Sequence, residues 1–174
     1  TGHLVLSTLH TNDAVGTLPR LLDMGIAPFL VSSTTNLIIA QRLVRKICQN
    51  CITSYQITQQ NMIDLSLEIN IKELLKILQT AGAISKKQTL KNLLFYRGKG
   101  CKQCGEEGYK GRQGIYEILE VTREVAEMIL NRASVEVLKT AAKKQGMLTM
   151  MEDGFIKAKN GITTIEEIMR VTKE

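Results

Sequence analysis

A chain of 174 residues with 44% apolar content can bury a core of its own, as one domain or as one domain plus a small module. No run reaches roughly 18 uninterrupted apolar residues and no charged-then-apolar leader opens the sequence, so neither a membrane-spanning helix nor an export signal is read and a cytoplasmic protein is expected. The formal charge of +6 points to an acidic partner, whether nucleic acid, phosphate or an anionic membrane surface, but the basic residues are dispersed and, with 4% aromatics and no Trp, they build no platform for stacking bases. Specific nucleic-acid binding is therefore not expected. The first residue is Thr1, in what reads as the middle of a fold, and a piece of a longer polypeptide is expected.

In chain order, His3-Leu4-Val5-Leu6-Ser7-Thr8-Leu9 is a nearly continuous apolar run that opens into His10-Thr11-Asn12-Asp13. The pattern predicts a buried, parallel-type strand with a polar carboxyl end. A helix to about Met24 follows, with Thr11 or Asn12 as N-cap, Asp13 in the first turn, Pro19 awkward inside it and Gly25 as the stop. Ligands of open α/β sheets sit at the carboxyl ends of strands, which makes His10, Thr11 and Asn12 candidate substrate contacts. His3 begins the same strand, and an odd separation in an alternating strand puts it on the face opposite His10. Ser7, His10 and Asp13 do not make a hydrolase triad, because there is no G-x-S-x-G turn and triads are assembled in space, not by such spacing.

From Phe29 to Ile47, Leu30, Val31, Leu37, Ile38, Val44 and Ile47 recur at helical spacing and predict one long packed helix. Gln41, Arg42, Arg45 and Lys46 would form its basic last turn, placed either for the helix dipole and solubility or for phosphate or subunit contact. That helix delivers the chain to Cys48-Gln49-Asn50-Cys51, which is matched by Cys101-Lys102-Gln103-Cys104, and the two pairs use every thiol in the sequence. Two C-x-x-C turns present four sulfurs at the edges of one tetrahedron, the arrangement of a structural zinc site, although the segment between the pairs exceeds the roughly 15 to 20 residues of a compact ribbon. The competing readings are two disulfides or four unrelated buried thiols. A disulfide scaffold would be short and carry secretory signals, and neither feature is present.

Between the pairs, strand signals are few. Asp64 to Asn70 is ambiguous, while Ile71 to Leu78 and Thr89 to Phe95 read as short amphipathic helices that pack on their own domain or on a partner, separated near Gly82 and Ser85. Glycines at 98, 100, 105, 108, 111 and 114 suit tight cysteine turns, and no G-x-x-x-x-G-K-[ST] loop exists, since Gly98-Lys99 continues into Gly100. Ile115 to Val121 reads as a strand. Helices are expected at 123 to 131 and 135 to 145 after the N-caps Thr122 and Ser134, with Gly146 as a C-cap. A third runs from about Thr149 to Lys159, and Thr164-Ile165-Glu166-Glu167 has capping-box spacing for a last one through Arg170.

Taken together, several stretches resemble one family. Thr1-Gly2-His3-Leu4-Val5-Leu6-Ser7-Thr8-Leu9-His10-Thr11-Asn12-Asp13-Ala14 resembles the histidine box of the ATPases that drive type II secretion and type IV pilus assembly. The match continues through Asp23-Met24-Gly25, Ala40-Gln41-Arg42-Leu43-Val44-Arg45, both cysteine pairs, Gly108-Tyr109-Lys110-Gly111-Arg112-Gln113-Gly114-Ile115-Tyr116-Glu117 and Gly161 to Thr172, leaving only 52 to 97 matched by position alone. The resemblance implies an α/β fold, the C-terminal remainder of a RecA-like P-loop ATPase domain with an inserted tetracysteine zinc module and a helical C-terminal subdomain. Its implied divisions are 1–47 for the end of the ATPase core, 48–104 for the zinc module and 105–174 for the strand and helical subdomain. It also implies a cytoplasmic homo-hexamer at the inner membrane, docked on an inner-membrane platform protein, that uses ATP and magnesium. His10 would be a sensor or catalytic-site residue near the γ-phosphate and His3 a companion, with Thr11, Asn12, Arg42 and Arg45 contacting nucleotide or a neighbouring subunit. Cys48, Cys51, Cys101 and Cys104 would bind zinc. The Walker A loop, aspartate box and Walker B acid of the family would lie upstream of Thr1, so this segment alone is expected not to hydrolyse ATP. The alternative is a non-enzymatic zinc-binding adaptor, including one for nucleic acid.

Overall fold

The computed structural model describes residues 2–58, 63, 65–67, 70–85, 88–89 and 92–172. In chain order they form helices α1 (Thr17–Asp23) and α2 (Pro28–Thr34), strands β1 (Leu37–Ile47) and β2 (Ile52–Gln56), helix α3 (Ile71–Thr80), strands β3 (Leu94–Gly98) and β4 (Tyr109–Glu120), and helices α4 (Arg123–Leu130), α5 (Val135–Lys144), α6 (Met150–Lys159) and α7 (Ile165–Thr172). β1 pairs with β4, and β2 pairs with β3. The chain divides into two compact units, Thr1–Gln41 with Glu117–Leu148 and Arg42–Tyr116 with Thr149–Glu174, and each has its own apolar core.

In the first unit, Ala14, Val15, Leu18, Val31, Ile38, Leu119, Val125, Ile129, Leu138, Ala142 and Met147 form the core. The helix expected with Thr11 or Asn12 as N-cap has its N-cap at Gly16 and starts at Thr17. Asp13 explains the delay: its Oδ1 accepts from the Gly16 N–H at 2.6 Å and closes a turn ahead of the helix. The shift also removes the difficulty with Pro19, which now sits in the first turn, where a helix has no use for its N–H. Gly25, at φ +82°, ends the element as expected.

The strand expected at 3–9 is absent. Residues 2–10 have no regular structure, and Leu4, Val5 and Leu6 are 84%, 75% and 89% exposed. Among the described residues no strand pairs with this run, and an apolar stretch without a ladder partner has neither a ladder to hold it extended nor a neighbour to cover its side chains.

The long helix expected from Phe29 to Ile47 is also overturned. Only Pro28–Thr34 is helical, and Leu37–Ile47 is β1. Leu37, Ile38, Val44 and Ile47 keep a helical spacing and do not alternate as a half-buried strand would, yet the β-branched composition and the pairing to β4 decide for the strand. One consequence concerns Arg42 and Arg45. Three positions apart they would share a helix face, but in a strand they belong to opposite faces.

In the second unit the core is built from Ile57, Leu65, Leu74, Leu78, Ile84, Leu93, Phe95, Phe155, Ala158, Ile165 and Ile168. Helix α3 matches the expectation and is capped by Asn70, whose side chain accepts from the N–H groups of Lys72 and Glu73. The short helix expected at Thr89 to Phe95 gives way to β3 from Leu94, while Leu90 and Lys91 lie outside the described residues, as do Asp64, Glu68 and Ile69 of the ambiguous 64 to 70 stretch. β2 and β3 run antiparallel, with Ile52 opposite Gly98 and Gln56 opposite Leu94. β4 extends the expected strand back to Tyr109, and the helices of the C-terminal third begin at the expected caps. Thr149 and Glu152 form a complete capping box, with Thr149 N–H to Glu152 Oε2 at 2.8 Å and Glu152 N–H to Thr149 Oγ1 at 3.3 Å. No helix among the described residues is long and apolar enough to cross a membrane.

Candidate functional site

The four cysteines converge. Cys48 Sγ lies 3.9 Å from Cys101 Sγ, Cys51 Sγ lies 3.9 Å from Cys104 Sγ, Cys101 and Cys104 sulfurs are 3.6 Å apart, and all four sit within 4.8 Å of one another. Zinc–sulfur bonds of about 2.3 Å require tetrahedral edges of about 3.8 Å, whereas a disulfide would bring two sulfurs to about 2.05 Å. The donor set therefore has the dimensions of a four-thiolate metal site, and all four thiols are free.

The β2–β3 ladder resolves the long spacing between the pairs. Cys51 immediately precedes β2 and Cys101 lies three residues after the end of β3, so the antiparallel register returns the chain to its starting point wherever the segment between Gln56 and Leu94 goes. Each pair is a tight turn: Cys51 N–H donates to Cys48 O at 3.2 Å, and Cys104 N–H donates to Cys101 O at 3.0 Å. Cys48 N–H donates to Gly108 O at 2.9 Å, Lys99 N–H to Cys51 O at 3.0 Å, and Asn50 donates to the Gln103 side chain across the two turns. Gly98 and Gly108 pass so closely that a Cβ on Gly108, at φ +78°, would meet Gly98 O at 2.7 Å.

The thiols are not equivalent. Burial alone would raise Cys104, but N–H donors from Gly108 at 3.3 Å and Cys101 at 3.2 Å overcome it and bring the thiol down to about 7. Burial raises Cys51, reinforced by the neighbouring sulfurs, to about 12. A thiol brought down at Cys104 beside one pushed up at Cys51 suits a dication, because a metal's positive charge favours both thiolates at once.

The histidine segment is built differently. His3, His10 and Asn12 are exposed, and Thr11 is half-buried with its Oγ1 2.9 Å from Thr17 Oγ1. The turn behind them is held by a residue the sequence did not single out as functional. Glu117, 2% exposed among the inward side chains of β4, accepts the Ala14 N–H through Oε1 at 2.9 Å. Burial pushes its carboxyl up, the Ala14 N–H opposes the rise, and Asp13 adds to it. Lys139 pairs with Asp13 at 3.7 Å. Its signal was available: a carboxylate replaces an apolar residue between Ile115 and Leu119, whose side chains both point inward.

Arg42 is exposed on β1. Arg45 enters a network around Glu167, itself 2% exposed. Glu167 accepts from Arg45 N–H at 2.9 Å and Arg45 Nη2 at 2.7 Å, and from Arg170 Nε at 2.9 Å and Nη2 at 2.8 Å. Burial would raise this carboxyl, but the bonds from Arg170 and Arg45 hold it down at about 2. The capping box expected at Thr164 is therefore half-formed: Thr164 Oγ1 accepts the Glu167 N–H at 3.2 Å, while the Glu167 side chain goes to the arginines. Among the described residues no buried side-chain nitrogen or oxygen lacks a hydrogen-bond partner.

A mixed α/β chain with a four-cysteine centre defines the class, and the comparison with known proteins defines the family. Residues 1–170 match the family model described as "Type II/IV secretion system protein", and the chain belongs to that family. It is 41% identical over 174 residues to the type II secretion system ATPase E of Vibrio cholerae, covering 100% of this chain and 30% of that protein. It is 37% identical over 174 residues to the type IV pilus assembly ATPase PilB of Thermus thermophilus, covering 100% and 18%, and 41% identical over 170 residues to PilB of Myxococcus xanthus, covering 97% and 27%. The chain thus spans between 18% and 30% of the length of these three relatives.

Proposed function

We propose that this chain is the C-terminal portion of a motor ATPase that couples ATP hydrolysis to type II secretion or type IV pilus assembly. The observation that carries the reading is similarity running along the whole chain to relatives named as ATPases of those two systems. In the full-length protein the motor is a homo-hexamer on the cytoplasmic face of the inner membrane, uses ATP and magnesium, and engages an inner-membrane platform protein. The segment by itself does not hydrolyse ATP, because it contains no loop with a lysine to cradle the phosphates. Its own share is a RecA-like edge carrying the histidine segment, a zinc module and a helical subdomain. His10, with His3 as companion, faces the nucleotide γ-phosphate, and Thr11, Asn12, Arg42 and Arg45 serve nucleotide or subunit contacts.

Zinc would be held by Cys48, Cys51, Cys101 and Cys104, and the sulfur spacing supports that choice. Bound there it supplies a structural cross-link, not reaction chemistry, since four thiolates leave no open position. The experiment is His10→Ala in the full-length protein, with turnover and nucleotide binding measured side by side. Turnover is expected to fall about tenfold or more with binding little changed, as for loss of a group acting on the reacting phosphate. Wild-type turnover would remove His10 from the site.

A further inference from the structure

Three arginines from three elements converge on a cleft of the second unit whose lining includes no cysteine and no histidine. Arg45 of β1, Arg112 of β4 and Arg170 of α7, with Leu43 and Val44, line an open cavity of about 560 Å³. Two of them are braced from behind. Glu167 ties down Arg45 and Arg170 as described, and the Arg45 guanidinium carbon lies 4.2 Å above the Tyr109 ring, whose hydroxyl is 3.0 Å from Thr164 Oγ1. Despite this bracing, their side chains remain 44% and 55% exposed. Arg112 is exposed and makes no ion pair among the described residues.

Three guanidiniums set against one hydrogen-bonded carboxylate, with Glu107 acting on Arg45 only through space and as its smallest influence, leave an excess of positive charge facing the cleft. A purely structural ion pair does not require this: Glu167 is already saturated by Arg45 and Arg170, and Arg112 adds repulsion without a partner. Planar guanidinium forks held in place suit a tetrahedral oxyanion with several acceptors, because little side-chain freedom is left to lose on binding.

We propose that this cleft binds a dianionic phosphoryl group, as inorganic phosphate or a phosphomonoester. The charge match selects a dianion over a carboxylate or a phosphodiester lipid headgroup, each of which carries one negative charge, and Leu43 offers an apolar wall for an ester substituent. The proposal does not depend on the motor reading or on zinc.

The test is phenylglyoxal modification of the full-length protein, read arginine by arginine by mass spectrometry, in inorganic phosphate, in glycerol phosphate and in chloride of equal ionic strength. At saturation, modification of Arg112 should slow on the order of tenfold in either phosphate, because an occupied site labels only when the ligand leaves. The exposed Arg123 and Arg132 should not change. Equal rates in phosphate and chloride would overturn the proposal. So would equal slowing at Arg123 and Arg132, or protection of Arg112 by phosphatidylglycerol vesicles but not by phosphate. Arg112→Gln should melt as the parent does in chloride yet lose phosphate protection at Arg45 and Arg170; retained protection there would also overturn it. ATP turnover is not read, so failure of the motor reading leaves these outcomes intact.

Discussion

The cysteine centre and the histidine segment are the two most recognisable stretches of the sequence, and the folded chain treats them in opposite ways. Around the cysteines every feature needed for geometry lies within one unit: two tight turns, a ladder that brings them together, and a glycine crossing that lets the backbones touch. The histidine run keeps an ordered turn at Asp13 to Gly16, but its apolar residues are exposed and unpaired. A site closed by local turns and one ladder can be complete in a short chain, whereas a buried strand needs neighbours on both sides to exist.

That contrast can be broken most decisively at the metal. Cys48→Ser with Cys101→Ser is expected to take bound zinc from about one per chain to none and to lower Tm by more than about 5 °C, as elemental analysis and thermal melting would show. Unchanged metal content and melting would remove the zinc assignment.

A smaller effect should come from Glu167. Its folded pKa of about 2 lies below the ordinary carboxylate value, so it contributes stability above about pH 5 that is lost as the pH falls toward 2. With both arginines half open to water, Glu167→Ala should cost about 2 kcal/mol near neutrality and flatten the acid limb of a stability curve measured by denaturant titration.

Glu117 should behave with the opposite sign. Its pKa is raised in the folded state, so ionising it draws stability away as pH rises above the ordinary carboxylate range. Glu117→Gln keeps an acceptor for Ala14 N–H and should remove that slope, whereas Glu117→Ala leaves the N–H unpaired at a cost of about 1 kcal/mol. Hydrogen exchange at Ala14 and Val15 would separate the two variants. Least of all, Leu6→Ser in the 174-residue chain should change stability by less than about 0.5 kcal/mol, since the side chain is already 89% exposed. A large loss would mean that the run is covered.

The parts legible in sequence are those fixed by neighbours a few residues apart. The C-x-x-C turns depend on i to i+3 bonds, and the helix starts at Asn70, Thr149 and Thr164 on capping side chains; the helices after Thr122 and Ser134 also begin where the residues place them, without a side-chain cap bond. The family, too, could be read from motif order alone, and residues 1–170 match it.

What tertiary structure decided is whatever depends on a distant partner. The apolar spacing of Leu37 to Ile47 favours a helix, and pairing with β4 selects the strand against it and separates Arg42 from Arg45. The same is true of Glu117 beneath Ala14, of Glu167 between Arg45 and Arg170, and of the ladder that joins cysteines far apart in the chain. A backbone ladder or a buried carboxylate takes its energy from groups on another element, and local spacing carries no record of which group that will be.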